Sequence, residues 1–263
     1  MKKYLVIGNP IEHSLSPLLH NYWIKKENLQ AEYEKQKTNN SQLKDLIDKI
    51  KRKEINGINV TVPLKKDIIP FLEKLSPEAK STQSVNTIYL DNNIVVGHNT
   101  DIRGFELAIK DTKYDVKGKN VFILGAGGVV PSIIYALNNM KASSITITNR
   151  TQSKAENLKN LFKNLKIISW GKLPDFDMII NATSIGLNKK DQINLNFSVL
   201  NKNKFFFDVI YNPKETNFLK TAKSLGNDTE NGKKMFIYQA AEAFKIWHGI
   251  QPDINQEVDE LLD

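Results

Sequence analysis

The 263-residue sequence contains no cysteine. Disulfide bonds, thiolate metal ligands and a cysteine nucleophile are therefore excluded, and the composition is compatible with a reducing compartment. Long apolar runs are also missing, because none approaches the length of a membrane-spanning helix and the short run near the N-terminus is interrupted by Asn9 and Pro10. We therefore expect a soluble, cytoplasmic protein without a membrane partner or signal sequence.

The chain also has no internal repeat and no low-complexity linker. With 263 residues, 40% of them hydrophobic, it can bury one large core or two smaller ones, and ordinary domain sizes favour two. The four histidines are scattered, at His13, His20, His98 and His248, so we expect no metal site. The three tryptophans, Trp23, Trp170 and Trp247, are interpreted as packing residues.

The formal net charge is +8. The lysines are spread along the chain and mixed with acidic residues, as in KDLIDKIKRKE, and no basic stripe with interleaved aromatic residues is visible. This pattern is typical of a solvated lysine-rich surface, with an anionic small molecule as the second interpretation. We expect no nucleic-acid partner.

The first hundred residues alternate between strand and helix patterns. Ser16 is predicted to cap the first helix, with Pro17 in its first turn. A hairpin is predicted to turn at Asp91 to Asn93. The pattern predicts strands over 2–8, 32–38 and 57–63, helices over 16–29 and 41–55, and a short helix over 66–75 that a proline interrupts.

A second α/β series follows, and its strands separated by helices imply a parallel sheet. The last long segment, 235–252, has apolar residues at helical spacing, but its own pattern does not show where it packs. Strands are predicted over NVFILGAGG, SITITNR, MIINAT and FFFDVIY, with helices over 103–112, 131–140 and 152–162.

In VFILGAGGVVP, an apolar strand runs into Gly125, Gly127 and Gly128 and then into a helix. Such glycines permit a tight turn and let a pyrophosphate approach the N–H groups at the helix start, although glycines also serve plain structural turns. About 20 residues further on, an NAD site carries an acidic residue. This chain instead has four polar or basic residues there, which suit either phosphate binding or the start of a helix. These are Asn149, Arg150, Thr151 and Lys154. Two cations and a hydroxyl suit a 2′-phosphate, and together with the glycine turn they favour NADP; alternatively, Thr151 is simply an N-cap.

In the first half, polar residues fall at strand ends: Asn59, Thr61, Lys65, Asn86 and Asp101. Ligands of open α/β sheets bind at the carboxyl ends of strands, so these groups are expected to share one cleft. Each residue also has a local alternative. A lysine is usually a surface residue, asparagines occupy turns, and an aspartate before a helix is often its cap.

These motifs, taken in order, resemble those of the shikimate dehydrogenases from Gly8 to Pro252. The matching segments are GNPIEHSLSP, NVTVPLK, SVNT, NTDIRG, GAGG, NRT, NATSIG, DVIYNP and MFIYQAAEAFKIWHG. The resemblance implies a two-lobed α/β protein, with a substrate domain over 1–101 completed by 232–263 and a Rossmann-type NADP-binding domain over 102–231. The C-terminal helices would return to the first lobe.

The resemblance also implies NADPH-dependent reduction of 3-dehydroshikimate to shikimate, a step of chorismate and aromatic amino acid biosynthesis. Lys65 would act as proton donor and acceptor with the help of Asp101, and Ser14 and Ser16 would bind the substrate carboxylate. The further substrate residues implied are Asn59, Thr61, Asn86, Tyr211 and Gln239. The implied NADP(H) contacts are Gly125, Ala126, Gly127, Gly128, Asn149, Arg150, Thr151, Lys154, Thr183, Gly232 and Met235.

Some positions depart from the family pattern: Gln83 and Ser84 replace a usual Gly-Ala pair, and Val130, Pro131 and Lys234 are also unusual. Three other interpretations stay open. The chain is a quinate/shikimate dehydrogenase with relaxed cofactor choice, a catalytically idle NADP-binding regulator, or, least supported, a nucleic-acid-binding protein. A monomer or a homodimer is expected.

Overall fold

The computed structural model describes residues 1–199 and 203–263. The chain forms two compact units, of which the first comprises Met1–Gly104 with Ile237–Asp263 and the second comprises Phe105–Phe236. Each unit contains a six-stranded sheet with helices, so the predicted α/β class is confirmed. None of the helices in the described ranges combines the length and apolar character needed to cross a bilayer.

The elements are numbered in chain order. The strands are β1 (Lys2–Gly8), β2 (Ala31–Lys37), β3 (Gly57–Val60), β4 (Lys74–Leu75), β5 (Thr87–Asp91), β6 (Ile94–His98), β7 (Asn120–Leu124), β8 (Ser144–Thr148), β9 (Lys166–Ile167), β10 (Met178–Asn181), β11 (Phe205–Asp208) and β12 (Asp228–Glu230). The α-helices are α1 (Ser16–Lys26), α2 (Leu43–Lys51), α3 (Pro77–Thr82), α4 (Asp101–Asp111), α5 (Val130–Asn139), α6 (Gln152–Leu161), α7 (Asn217–Ser224), α8 (Lys233–His248) and α9 (Gln256–Leu261).

The first sheet is mixed, with the order β2-β1-β3-β5-β6-β4. Strand β1 runs parallel to β2 and β3, whereas β5 runs antiparallel to both β3 and β6. Because Thr87 pairs with Asn59 and with His98, the start of β5 lies at the same edge as the ends of β3 and β6. The predicted hairpin between β5 and β6 is confirmed, and Asn92 and Asn93 both take the positive φ that its tight turn needs.

Two predictions in this unit are wrong. The segment 66–75 is not a helix but a short 3₁₀ turn, Ile69–Phe71, followed by β4, because Pro70 cannot donate a helical hydrogen bond and Leu72 is already extended. Ser16 is not the cap of α1. The cap position is Leu15, Ser16 is already helical, and the hydroxyl of Ser14 accepts a hydrogen bond from the Ser16 N–H at 3.3 Å.

The first unit contains an aliphatic cluster and an aromatic cluster. On one face of the first sheet, the apolar stripe of α2 is buried with strand residues such as Ile7 and Ile58. Elsewhere in this unit His20 of α1 stacks on Tyr33 of β2, with ring centroids 4.2 Å apart, and Phe244 and Trp247 of α8 also contact the His20 ring. The part of α8 that belongs to the first unit thus joins its core by aromatic packing.

The second sheet is entirely parallel, with the order β12-β11-β10-β7-β8-β9. Counted within the unit, this is the order 3-2-1-4-5-6 of doubly wound dinucleotide-binding domains. The predicted parallel sheet is confirmed. Strands β9 and β12 and helix α7 were not predicted, because each is too short to show a clear period.

A buried carboxylate connects the ends of β10 and β11. Asp208 has no exposed surface, and it accepts hydrogen bonds from the Asn181 side chain (3.1 Å), the Ile210 N–H (3.0 Å) and the Thr216 hydroxyl (2.6 Å). These bonds favour the ionised form, but burial is the larger effect and raises the Asp208 pKa from 3.8 to about 6. Asp208 therefore fixes the loops that follow both strands.

Gly57 is expected to be intolerant of a larger side chain. A methyl group there would overlap the indole of Trp247, whose Nε1 donates to the Ile88 carbonyl at 3.1 Å. Gly57→Ala should lower the free energy of unfolding by roughly 1–3 kcal/mol, the usual effect of overpacking, as measured by urea denaturation. The double variant with Gly57→Ala and Trp247→Phe should lose less unfolding free energy than the sum of the losses of the two single variants. Additive losses would contradict the proposed steric contact.

The raised pKa of Asp208 predicts a pH-dependent stability. The fold prefers the protonated carboxyl, so its stabilising contribution is complete below pH 3.8 and is lost as pH rises through about 6. Asp208→Asn can retain the three hydrogen bonds, since its amide would donate to the Thr216 hydroxyl. Urea denaturation should therefore show that the free energy of unfolding of the variant, relative to the wild type, increases by roughly 3 kcal/mol between pH 4 and pH 7.

Asp191 provides the matched control for this measurement. Its pKa is lowered because the N–H groups of Gly186 and Asn188 donate to its carboxylate, so Asp191→Asn should show the opposite sign, losing stability relative to the wild type as pH rises. The histidines are common to all three proteins, so their contributions cancel in the difference. A stability difference for Asp208→Asn that does not change with pH would refute the shifted pKa.

Candidate active site

The first unit contains a lysine–aspartate pair at the edge where β3 and β6 end. Lys65 lies in the loop after β3, and Asp101 is the first residue of α4. The Lys65 Nζ lies 2.5 Å from the Asp101 Oδ2, and only 11% and 7% of the two side chains are exposed. An ammonium held this close to a carboxylate, largely out of water, has a fixed position and a strong local field.

The Asn86 side chain orients this pair. Its Nδ2 lies 2.8 Å from the second Asp101 oxygen, 2.9 Å from the Thr100 hydroxyl and 3.4 Å from the side-chain oxygen Oε1 of Gln239. Its Oδ1 accepts a hydrogen bond from the Thr100 N–H at 2.8 Å. Asp101 thus uses one oxygen for Lys65 and the other for Asn86, which prevents the carboxylate from rotating.

The network continues from Asn86 toward β2. Asn59 donates to the Asn86 carbonyl oxygen at 3.0 Å and to the Thr87 hydroxyl at 3.1 Å, and the Tyr33 hydroxyl donates to Asn59 Oδ1 at 2.7 Å. The Ser16 side chain in turn hydrogen-bonds with Tyr33. Burial raises the Tyr33 pKa well above its ordinary value, so Tyr33 stays a neutral phenol.

The structure brings most of the predicted substrate residues of this unit into one hydrogen-bonded network. Its predicted members are Ser16, Asn59, Lys65, Asn86, Asp101 and Gln239. Ser14 is joined to it through the Ser16 N–H, which donates to the Ser14 hydroxyl. Thr61 lies just beyond β3, where its carbonyl oxygen accepts from Leu64 at 3.0 Å. Tyr211 belongs to the second unit.

The unusual residues before Asn86 leave this network intact. Gln83 takes the left-handed conformation, with φ of 48°, which explains why a glycine is usual there. The Ser84 carbonyl oxygen accepts a hydrogen bond from the Asn99 side chain at 2.9 Å. Asn99 also accepts from the Asp101 N–H at 3.1 Å, so this segment helps to hold the start of α4.

Tyr33 is a site residue that the sequence interpretation missed. The available signal was weak, since Tyr33 is the one aromatic residue in the strand AEYEKQK, whose other positions are mainly charged. A side chain that points inward from such an edge strand reaches the interior, and Tyr33 has only 2% of its surface exposed. Its hydroxyl then requires a buried partner, which Asn59 provides.

The second unit contains a pocket of about 240 Å³ at the carboxyl ends of its strands. The predicted glycine turn and the predicted phosphate-binding residues lie around it, together with Trp170. Its lining residues are Gly125, Ala126, Gly127, Asn149, Arg150, Thr151, Lys154, Trp170, Ala182, Thr183, Ser184 and Ile185. Gly128 lies in the same turn, just before α5.

Gly125 is the glycine that this turn requires. Its φ is +107°, and a Cβ atom there would lie 2.7 Å from the Ala182 carbonyl oxygen. The turn after β7 therefore passes close to the end of β10. Val130 begins α5 and is fully buried, and Pro131 lies in the first helical turn, where proline needs no hydrogen-bond donor.

The two cations of the pocket are exposed, and among residues 1–199 and 203–263 neither Arg150 nor Lys154 forms an ion pair with a carboxylate. Thr151 occupies the cap position of α6, but its side chain makes no capping hydrogen bond. Asn149 donates to the Thr151 carbonyl oxygen at 2.7 Å. The arrangement thus presents two uncompensated positive charges and a hydroxyl to an anion.

The loops after β10 and β11 carry the remaining predicted residues. Thr183 donates its hydroxyl to Asn181 at 2.7 Å, which in turn donates to Asp208. Tyr211 stacks on Phe236, with ring centroids 4.6 Å apart, and burial raises the Tyr211 pKa to about 12, so its phenol stays neutral.

Gly232 and Met235 belong to the same part of the second unit as Tyr211. The Gly232 N–H donates to the Ile210 carbonyl oxygen at 3.1 Å, and Met235 is buried in the first turn of α8. Trp23 is buried as predicted, whereas the interpretation of Trp170 as a packing residue is wrong. Trp170 has 37% of its surface exposed and lines the pocket together with residues of the loops after β7, β8 and β10.

Comparison with known proteins gives three family matches along the chain. Residues 6–88 match the shikimate dehydrogenase substrate binding domain, residues 106–217 match shikimate / quinate 5-dehydrogenase, and residues 234–256 match the shikimate 5′-dehydrogenase C-terminal domain. The shikimate dehydrogenase (NADP(+)) of Pelagibacter ubique is 57% identical over 262 residues, which cover 100% of this chain and 99% of that protein.

Solved structures agree with these matches. Shikimate dehydrogenase from Aquifex aeolicus is 37% identical with a TM-score of 0.90, and the match covers 100% of this chain and 97% of that one. Shikimate 5-dehydrogenase from Thermus thermophilus, solved with NADP(H) and shikimate, is 30% identical with a TM-score of 0.90, covering 100% and 98% of the two chains. The chain therefore belongs to the shikimate dehydrogenase family.

Proposed function

We propose that this chain catalyses the reversible, NADPH-dependent reduction of 3-dehydroshikimate to shikimate in the pathway to chorismate and the aromatic amino acids. The observation that carries the proposal is the Lys65–Asp101 pair, held by Asn86 at the strand-end edge of the first sheet. The full-length identity to a shikimate dehydrogenase (NADP(+)) supports the same reaction. A cytoplasmic location and a monomeric or dimeric state stay predictions.

Lys65 is the proposed acid of the reduction. When bound, NADPH supplies the hydride that reduces the substrate ketone, and the negative charge that develops on the ketone oxygen needs a proton. The Lys65 ammonium stabilises this charge and donates the proton, and in the reverse direction the neutral amine accepts it. Asp101 aims the ammonium, because its second oxygen is held by Asn86.

The remaining substrate contacts would use hydroxyl and amide groups rather than charges. We assign the carboxylate to the hydroxyls of Ser14 and Ser16, which donate hydrogen bonds without adding a formal charge. The amides of Asn86 and Gln239, together with Thr61, are assigned to the ring hydroxyls. Because the Asn86 and Asn59 side chains are buried, a substrate analogue that lacks a hydroxyl would leave polar groups unpaired and bind poorly.

Asn59 and Tyr211 have different proposed positions. Both polar atoms of the Asn59 side-chain amide are already hydrogen-bonded inside the network. We therefore assign Asn59 a supporting role toward Asn86 and Tyr33, in addition to its assigned contact with the substrate. Tyr211, on the loop after β11, would address the substrate near the nicotinamide with Gly232 and Met235. Its phenol is neutral and can donate a hydrogen bond.

The pocket of the second unit fits NADP(H). The turn at Gly125 to Gly128 would hold the pyrophosphate near the start of α5, with Ala126 providing a backbone contact. Arg150 and Lys154, assisted by Thr151 and Asn149, would bind the 2′-phosphate, and Thr183 would contact the cofactor from the loop after β10. The absence of an acidic residue at the end of β8 favours NADP over NAD.

The catalytic proposal predicts a sharp contrast between two neighbouring lysines. Lys65→Ala should lower kcat for 3-dehydroshikimate reduction by roughly 100- to 10,000-fold, the usual contribution of a general acid. Lys66→Ala, which removes an exposed lysine one residue further on, should leave kcat unchanged. Reduction of 3-dehydroshikimate is followed by nicotinamide absorbance with NADPH and with NADH, and oxidation of shikimate and of quinate is followed with NADP⁺.

Each other outcome of this assay has a meaning. If wild-type protein turns over neither cofactor, the proposed reaction is wrong and the idle NADP-binding regulator replaces it. If quinate is oxidised as fast as shikimate, the substrate assignment is too narrow. Equal activity of Lys65→Ala and Lys66→Ala would remove Lys65 from the mechanism while leaving the reaction itself in place.

The assignment of Arg150 predicts a change in cofactor preference. Arg150→Ala should raise the Kd for NADP⁺ by roughly 10- to 100-fold, because a charge-assisted hydrogen bond to the 2′-phosphate is lost. The Kd for NAD⁺, which has no 2′-phosphate, should stay the same. Isothermal titration calorimetry measures both values, and Arg52→Ala, at an exposed arginine of the first unit, is the control. A parallel loss for both nucleotides would contradict the assignment.

A further inference from the structure

Trp170 has an unusual combination of properties. It is a large aromatic side chain with 37% of its surface exposed, and it is the aromatic residue among those that line the pocket of the second unit. Isolated apolar side chains on a flat surface need no explanation. An indole that forms part of a pocket wall, next to cations without carboxylate partners, offers a binding surface for a flat ring.

The position of Trp170 along the sheet indicates which part of a nucleotide it meets. Trp170 follows β9, which pairs in parallel with β8, and β8 leads to Arg150 at the same edge. The glycine turn after β7 is separated from β9 by β8. Across the sheet the order is therefore the glycine turn assigned to the pyrophosphate, then the cations assigned to the 2′-phosphate, then Trp170.

The chemistry of the pocket separates in the same way. The turn at Gly125 offers backbone N–H groups, and Arg150 and Lys154 offer charge, so these groups suit phosphates. Trp170 offers neither a charge nor an acceptor, and its indole face suits a planar, uncharged base. A purine next to the 2′-phosphate-bearing ribose is the part of NADP(H) that has this chemistry.

We propose that Trp170 forms the wall of the adenine subsite and stacks on the adenine base of the bound nucleotide. This inference rests on the proposed NADP(H) binding and assigns a residue to a part of the cofactor that the phosphate contacts leave without a partner. Stacking of a base on an aromatic side chain is sequence-tolerant and typically changes affinity by about 5- to 100-fold. Trp170 thus acts on binding and not on the chemical step.

The inference predicts a signature that differs from that of Arg150. Adenine is present in NADP⁺, NAD⁺ and 2′,5′-ADP, so Trp170→Ala should raise the Kd of all three by about the same factor, within the 5- to 100-fold range of stacking. Arg150→Ala should affect only the two that carry a 2′-phosphate. Trp170→Phe, which keeps a smaller aromatic face, should restore part of the affinity.

Two measurements test this prediction. Isothermal titration calorimetry gives the Kd values, with Lys172→Ala as the control, since Lys172 is an exposed residue of the same turn that does not line the pocket. Tryptophan fluorescence provides a second readout. Titration with 2′,5′-ADP should quench emission of the wild type, and the quenching should disappear in Trp170→Phe although Trp23 and Trp247 remain. Circular dichroism verifies that each variant is folded.

The outcomes separate this inference from the proposed function. If the wild type turns over NADPH and binds 2′,5′-ADP, but Trp170→Ala binds all three nucleotides as the wild type does, the adenine assignment alone is overturned. A loss confined to the 2′-phosphate-bearing nucleotides would also overturn it and place Trp170 with Arg150. If the wild type binds none of the nucleotides, the proposed function fails, and the inference fails with it.

Discussion

The side-chain amide of Asn86 is the contact on which the polar network of the first unit depends. Asn86 is 2% exposed, so its amide groups must find partners inside the protein. Those partners include Asp101, Thr100 and Gln239, which reach it from two separate parts of the chain. The mixed sheet makes this possible, because β5 runs against β3 and β6 and so begins at the edge where they end. A parallel β5 would begin at the opposite edge.

A buried aspartate has the corresponding role within the second unit. Asp208 accepts hydrogen bonds from Asn181 and from the loop that leads to Tyr211, and Asn181 holds Thr183. The raised Asp208 pKa shows that burying the carboxylate costs more than its three donors recover. An apolar packing residue would avoid this cost but would leave the loops after β10 and β11 without a common hydrogen-bond partner. We therefore interpret the hydrogen-bonding side chain at this position as maintaining loop geometry, whereas its ionisation lowers stability.

The sequence patterns predicted those features that depend on local chemistry or on a clear period. The parallel sheet, the turn at Asn92 and Asn93, and the glycine turn at Gly125 are of this kind. Contacts that depend on distant segments were not predictable: Tyr33 reaches Asn59 only because β2 and β3 flank β1, and the exposure of Trp170 depends on the short strand β9. The helix predicted over 66–75 was wrong because Pro70 and the extended Leu72 end the helical turn, and the residues that follow pair as β4 with β6.

The position of Tyr33 depends on apolar packing as well as on hydrogen bonds. His20 stacks on the Tyr33 ring, and neither of its ring nitrogens has a hydrogen-bond partner within the described residues. Burial lowers the His20 pKa to about 3, so its ring is neutral near pH 7. A charged imidazolium beneath Tyr33 would require a solvated partner that this aromatic core cannot provide. The neutral ring therefore acts as a flat apolar support, and the Tyr33 hydroxyl is held at the distance that Asn59 and Ser16 require.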